Sequence, residues 1–209
     1  MKTNKFFMAI FLSGILCLLG VQPGQAQAWY AGAAYQISFP MGDTKDFTDA
    51  TSFRGGGLDF RKSINPSTTV GFTFGWNVFY ERTTETIEIK TEDPGAITGL
   101  QDRTINAFPI MVGVHKYFGR EAGPRPFIGL NAGGYVMLQR FEIGLLTFQN
   151  DQWQWGVAPE IGIAIPTKSH TTLLITGKYN YAFTGESAVG SDVNNSYLSL
   201  GFGVAWRTD

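Results

Sequence analysis

The chain has 209 residues, with 16 Lys and Arg against 17 Asp and Glu, a near balance that offers nucleic acid no electrostatic footing. Its length suits one domain, and its only cysteine, Cys17, leaves no disulfide framework to build. After the first 28 residues no apolar run reaches the roughly 20 residues of a membrane-spanning helix, so any crossing falls to strands.

The chain opens with Lys2 and Lys5 ahead of an apolar run from Phe6 to Val21, followed by small residues at Ala26 and Ala28. That order is the charged, apolar and small-residue sequence of a secretory signal peptide, expected over 1–28 with cleavage after Ala26 or Ala28. Cys17 follows Leu16 rather than a small residue and reads as part of the signal core, not as a lipid anchor. Loss of Lys2 and Lys5 leaves 14 basic against 17 acidic residues, a net charge of −3 for a mature domain spanning 29–209.

Period-two alternation then recurs eight times, and it predicts strands over 29–39, 53–63, 68–81, 104–118, 126–140, 152–165, 171–184 and 196–207. The third places Val70, Phe72, Phe74, Trp76, Val78 and Tyr80 opposite Gly71, Thr73, Gly75 and Asn77. The sixth sets Trp153, Trp155, Val157, Ile161, Ile163 and Ile165 against Gln152, Gln154, Gly156, Ala158, Glu160 and Gly162. The seventh sets Leu173, Ile175, Tyr179, Tyr181 and Phe183 against Thr176, Lys178 and Asn180. The eighth sets Leu198, Leu200, Phe202, Val204 and Trp206 against Ser199, Gly201, Gly203 and Ala205. Side chains of a strand alternate faces, so each segment is apolar on one side and small or polar on the other.

The connections alternate long and short: 13, 4, 22, 7, 11, 5 and 11 residues. Outer-membrane barrels have short periplasmic turns, longer external loops and an even strand number. The pattern therefore predicts an all-β, eight-stranded, antiparallel up-and-down transmembrane barrel with both termini periplasmic. Loops 40–52, 82–103, 141–151 and 185–195 face outward in this reading. Trp29 and Trp206 fall at periplasmic strand ends, and Tyr80, Trp153, Trp155 and Tyr181 toward the outer ends, as expected of membrane-interface aromatics. A soluble sandwich does not require that concentration of aromatics at strand ends. A lipid-binding soluble barrel would reverse the two faces.

The signal, the eight strands, the segment RPFIGLNAGGYV (Arg125–Val136) and the closing GFGVAW resemble the small outer-membrane β-barrel domain family, of the OmpX and OmpA type. The resemblance implies outer-membrane lipids as surroundings and the barrel-assembly machinery as a partner during biogenesis. The family commonly ends on an aromatic sorting residue, whereas Trp206 here precedes Arg207-Thr208-Asp209.

An eight-stranded barrel has an interior that side chains fill. The inward set includes Asp59, Arg61, Glu81, His115, Glu160, Lys178 and Arg207, of which Asp59, Arg61, Glu160 and Lys178 form the expected luminal ion-pair network. A turn centred on Ser169 sets Glu160 directly opposite Lys178, within salt-bridge reach. No catalytic residue is expected. The mature histidines, His115 and His170, lie toward the periplasmic end, away from the outer mouth where lipid-modifying and proteolytic barrels work. Glu85, Glu88, Glu92 and Asp93 read as a solvated loop. Asp43, Asp46 and Asp49 lack the order of a calcium loop, and Gly55–Gly57 lacks the Lys and helix of a phosphate cradle, so neither metal nor cofactor is expected. The expected function is envelope structure and loop-mediated surface contact, with an extracellular ligand met by loops 40–52 and 82–103. The alternative is a narrow channel or transporter for small solutes, hydrophobic compounds included.

Overall fold

The computed structural model describes residues 28–89, 95–120, 122–144, 146–167, 170–186 and 192–208. The expected signal peptide up to residue 27, Ser169, Glu92 and Asp93 lie outside the described residues.

Eight strands form: β1 (Trp29–Met41), β2 (Ser52–Asn65), β3 (Thr68–Ile89), β4 (Gly95–Tyr117), β5 (Arg125–Ile143), β6 (Leu146–Pro166), β7 (Thr171–Glu186) and β8 (Asp192–Thr208). One short helix, α1 (Asp43–Phe47), follows β1. Each strand pairs antiparallel with its neighbours in sequence, and β1 pairs with β8 from Trp29↔Thr208 to Met41↔Ser196, closing a barrel. Closure leaves no edge inside the wall, so the wall's backbone donors and acceptors are paired in the ladder, as a lipid environment demands.

The alternation of the sequence becomes an inverted globule. Leu130 is 58% exposed and Ile161 66%, whereas Arg61 is 4% and Glu160 2% exposed. Phe72, Phe74, Trp76, Leu173, Ile175, Leu200 and Phe202 share the outer face. Asn77, Asn131, Gln154, Asn180 and Ser199 are buried inside. In water this surface would expose a continuous apolar belt far beyond what soluble monomers tolerate. Against acyl chains it is the favourable arrangement, and the chain is a transmembrane β-barrel.

The strands on one side run well past the roughly 9–11 residues needed to cross. Residues 141–151, expected as an open loop, instead continue β5 and β6 as a hairpin whose turn contains Gly144 in the left-handed region (φ +58°). The reason lies in cross-strand pairing: Phe141 sits opposite Phe148 with ring centroids 6.1 Å apart, so this segment retains strand alternation up to the turn. Residues 82–103 behave alike, with β3 and β4 paired from Glu81↔Arg103 out to Ile89↔Gly95. Residues 185–195 are likewise shortened by extension of β7 to Glu186 and β8 from Asp192.

The other expected loop, 40–52, folds inward rather than outward. Thr44 Oγ1 accepts a hydrogen bond from the Ser196 backbone N–H at 2.8 Å, and Asp43 accepts one from that of Asn194 at 2.9 Å. The Asp49 N–H donates to Glu81 at 2.9 Å, and Phe47 packs on the apolar cluster within the barrel. The segment forms a lid over the mouth opposite the termini.

Candidate functional site

The interior is built in layers. Nearest the termini, Phe127, Ala164, Leu174 and Ala205 form a small apolar cluster with Tyr117 against it. The ionic layer follows. Arg61 Nη2 lies 3.2 Å from Asp59 Oδ1 and 3.0 Å from Glu160 Oε1. Lys178 Nζ is 3.5 Å from Glu160 Oε2, the two residues being direct partners across β6 and β7. The four charges balance, two against two.

Neutral groups complete the layer. Asn131 Nδ2 donates to Glu160 Oε2 at 3.0 Å, and His115 Nε2 approaches the same oxygen at 3.2 Å. Thr73 donates to Asp59 at 2.9 Å, and Arg61 Nη1 donates to the Tyr117 hydroxyl at 3.1 Å. The arginine also stacks 5.2 Å from the centre of the Phe127 ring. One connected network thus ties β2, β3, β4, β5, β6 and β7 together. A buried carboxylate needs this saturation, because desolvation otherwise outweighs its attraction to a single cation.

Sequence periodicity singles out the charged members and places His115 inward. It gives no sign of Asn131, Thr73 or Tyr117 as partners, since neutral polar residues are ordinary occupants of any inward face. Thr73 is the register partner of Asp59 across β2 and β3, and Asn131 a diagonal neighbour of Glu160 across β5 and β6, whereas Tyr117 on β4 reaches Arg61 on β2 only because the closed wall brings non-neighbouring strands together. Of the other inward residues, Glu81 serves the lid, and Arg207 is exposed at the termini-bearing end.

Above the ionic layer a polar chain crosses five strands. Ser38 donates to Asn77 at 2.8 Å and meets Ser199 at 2.8 Å; Asn180 donates to Ser199 at 3.2 Å and accepts from the Tyr135 hydroxyl at 3.2 Å. Phe79, Ile105, Met111, Met137 and Tyr197 then fill the barrel beneath the lid. Among the described residues no group of His, Cys, Asp and Glu is arranged to hold a metal ion.

On the outer surface Trp29 (50% exposed) and Trp206 stand near the termini, with Tyr80, Trp153 and Trp155 on the longer strands; Tyr181 is half-buried between Tyr179 and Phe183. The Trp153 and Trp155 rings meet edge to face at 5.8 Å. Beyond Tyr80 the outer face changes character. Arg82 pairs with Asp102 at 2.6 Å and Arg140 with Glu142 at 3.5 Å, on exposed positions above the largely apolar belt.

No protein-family model matches the chain, and no curated protein matches it. Solved structures do. Ail, the attachment invasion locus protein of Yersinia pestis, solved with the heparin analogue sucrose octasulfate, aligns with 88% of this chain and 100% of its own at 12% identity and a TM-score of 0.54. Neisserial surface protein A aligns with 87% of this chain and 97% of its own at 15% identity and a TM-score of 0.55. The N-terminal barrel domain of Pseudomonas aeruginosa OprF covers 88% and 100% at 10% identity and a TM-score of 0.50. At these identities the likeness is one of architecture, and it agrees with the inverted polarity of the wall: the chain has the fold of the small eight-stranded outer-membrane β-barrels.

Proposed function

We propose that this protein is a non-enzymatic barrel of the bacterial outer membrane, with both termini in the periplasm and the long hairpins outside, serving envelope structure and surface contact. The observation that carries the contact reading is the uneven height of the wall. Pairing of β3 with β2 ends at Val78, and pairing of β6 with β7 ends at Gly156. Between them β3, β4, β5 and β6 continue as one sheet to Ile143↔Leu146 and, for β3 and β4, to Ile89↔Gly95. This blade stands beyond the apolar belt, and among the described residues neither its β3 flank nor its β6 flank has a neighbouring strand. Unpaired strand flanks are templates for strand addition by a partner.

Deleting residues 86–99 tests the reading in cells displaying the barrel. Adhesion to protein-coated surfaces, or between cells, is expected to fall while the purified variant keeps heat-modifiable migration. Undiminished adhesion with a folded barrel would overturn it. The layered interior supports a closed lumen over the channel alternative. Planar-bilayer recordings are expected to show no steady conductance, and well-defined open steps would restore the channel.

A further inference from the structure

Beneath the ionic layer the barrel opens at its termini-bearing end into a cavity of about 650 Å³. Its charged lining is uneven: Arg61, Arg125 and Arg207 face it, with Asp59 the one carboxylate. Asp59 is already committed to Arg61 and Thr73. Arg125 makes no ion pair among the described residues; its guanidinium donates to the Pro66 carbonyl and lies 5.0 Å from the centre of the Tyr117 ring. That same Tyr117 hydroxyl holds Arg61, so one aromatic side chain positions two guanidiniums on the cavity wall.

Polar atoms at this wall are left over. Thr69 and Arg61 are 5% and 4% exposed, and both line the cavity. Thr69 Oγ1, Arg61 Nε and Arg125 Nε are buried and meet no hydrogen-bonding partner among the described residues. Buried donors without acceptors are costly, commonly about 1–3 kcal/mol each, and sites that hold them usually have something to accept. Apolar groups, Ile64 and Leu174 among them, form other parts of the lining. The volume falls within the roughly 300–1,000 Å³ of small-molecule sites, where a few convergent donors orient a ligand beside apolar contacts.

From this we infer that the cavity is a binding site for a small organic carboxylate, held by the Arg125 guanidinium, with Arg61 Nε and the Thr69 hydroxyl, sealed in the wall, turning to it as further donors. The planar fork of a guanidinium matches a carboxylate better than any other common anion group except phosphate. The cavity is floored by the ionic layer, so a ligand enters and leaves by the same mouth. The site stands on this geometry alone; only the statement that its ligand comes from the periplasm rests on the orientation proposed above.

The test is a titration of the refolded, isotope-labelled barrel in micelles, following backbone amides by nuclear magnetic resonance. Succinate, uncharged succinamide and inorganic phosphate are the probes. Succinate is expected to give saturable shifts at Thr69 and its neighbours, and succinamide none. Arg125→Gln is expected to weaken succinate at least tenfold, and Thr69→Val several-fold, with native-like spectra in both. Absence of saturation, an equal response to succinamide, or unchanged affinity in both folded variants would overturn the site. Saturation by phosphate with succinate silent would overturn the carboxylate assignment. Should Arg125→Gln fail to fold, the Thr69→Val comparison decides. Swapping the barrel's orientation in the membrane would alter none of these readings, so the site and the proposed function fail separately.

Discussion

Glu160 and Lys178 are direct partners across β6 and β7, yet the lysine is not the carboxylate's nearest cation: Arg61 reaches Glu160 at 3.0 Å and Lys178 only at 3.5 Å. The carboxylate side chain is 1% exposed and the lysine side chain 9%. Glu160 is therefore the hub of the layer and Lys178 its balancing charge. Glu160→Gln leaves Arg61 and Lys178 facing Asp59 alone and is expected to destabilise the barrel by about 3–5 kcal/mol. Lys178→Met leaves Glu160 with Arg61, Asn131 and His115 and should cost less.

The double variant Glu160→Gln with Lys178→Met restores a one-to-one balance between Asp59 and Arg61. It is expected to be more stable than Glu160→Gln alone, a non-additivity that urea unfolding in lipid vesicles measures. Additive losses would show that the two side chains do not act as a pair.

His115 is held in place by the absence of a side chain opposite it. His115 and Gly129 are register partners, and a methyl group on Gly129 would lie 2.3 Å from the imidazole Cδ2. Gly129→Ala must push the ring away from Glu160, an overpacking change expected to cost about 1–3 kcal/mol. Gly123 provides the control, because a methyl group there meets nothing within 4 Å. Gly123→Ala is expected to be neutral within about 0.5 kcal/mol in the same unfolding measurement. Equal stability of the two variants would show that the ring has room to move.

The wall and the charged hub differ in how far the sequence reveals them. Faces are legible because Leu198, Leu200 and Phe202 alternate with Ser199 and Gly201, and lipid enforces that alternation on every strand. The pairing of Glu160 with Lys178 is legible because hairpin register is fixed by the turn centre, here 169. Contacts spanning several strands, such as Arg61 with Glu160 or Ser38 with Asn77, depend on the stagger of the closed wall and leave no local signal. The hairpin at 141–151 was hidden by Gln149-Asn150-Asp151, polar residues that resemble a turn but lie beyond the belt, where outward strand positions need no apolar group. The lid was hidden because its fastening is long-range: Thr44 and Ser196 are 152 residues apart.

That fastening predicts how the mouth opens. Thr44 Oγ1 accepts from the Ser196 N–H and lies 3.4 Å from Asn195 Oδ1, so Thr44→Val removes both contacts while keeping the shape of the side chain. The buried Ser196 amide then loses its acceptor, at a local cost of about 1–3 kcal/mol. Hydrogen exchange at Ser196 is expected to quicken by at least tenfold, with amides such as Val112 and Leu130 in the wall unchanged. Retained protection at Ser196 would mean that α1 is held by its apolar contacts alone.

The pair that ends the apolar belt has its own pH signature. Hydrogen bonds from Arg82 and from the Tyr80 hydroxyl to the Asp102 carboxylate favour its charged form and hold it down to about 2, from an ordinary value of 3.8. A depressed carboxyl contributes stability above its ordinary value and loses it as pH falls through the lowered one. The blade's base is therefore expected to keep this pair down to about pH 2, although the exposed position makes its contribution to overall stability small. The carboxyl carbon shift of Asp102 is expected to titrate near 2 in the native protein and to rise toward 3.8 in Arg82→Gln, where the Tyr80 hydrogen bond alone still lowers it. A native midpoint already near 3.8 would show that the guanidinium and carboxylate separate in solution, leaving the boundary of the belt to the aromatic rings alone.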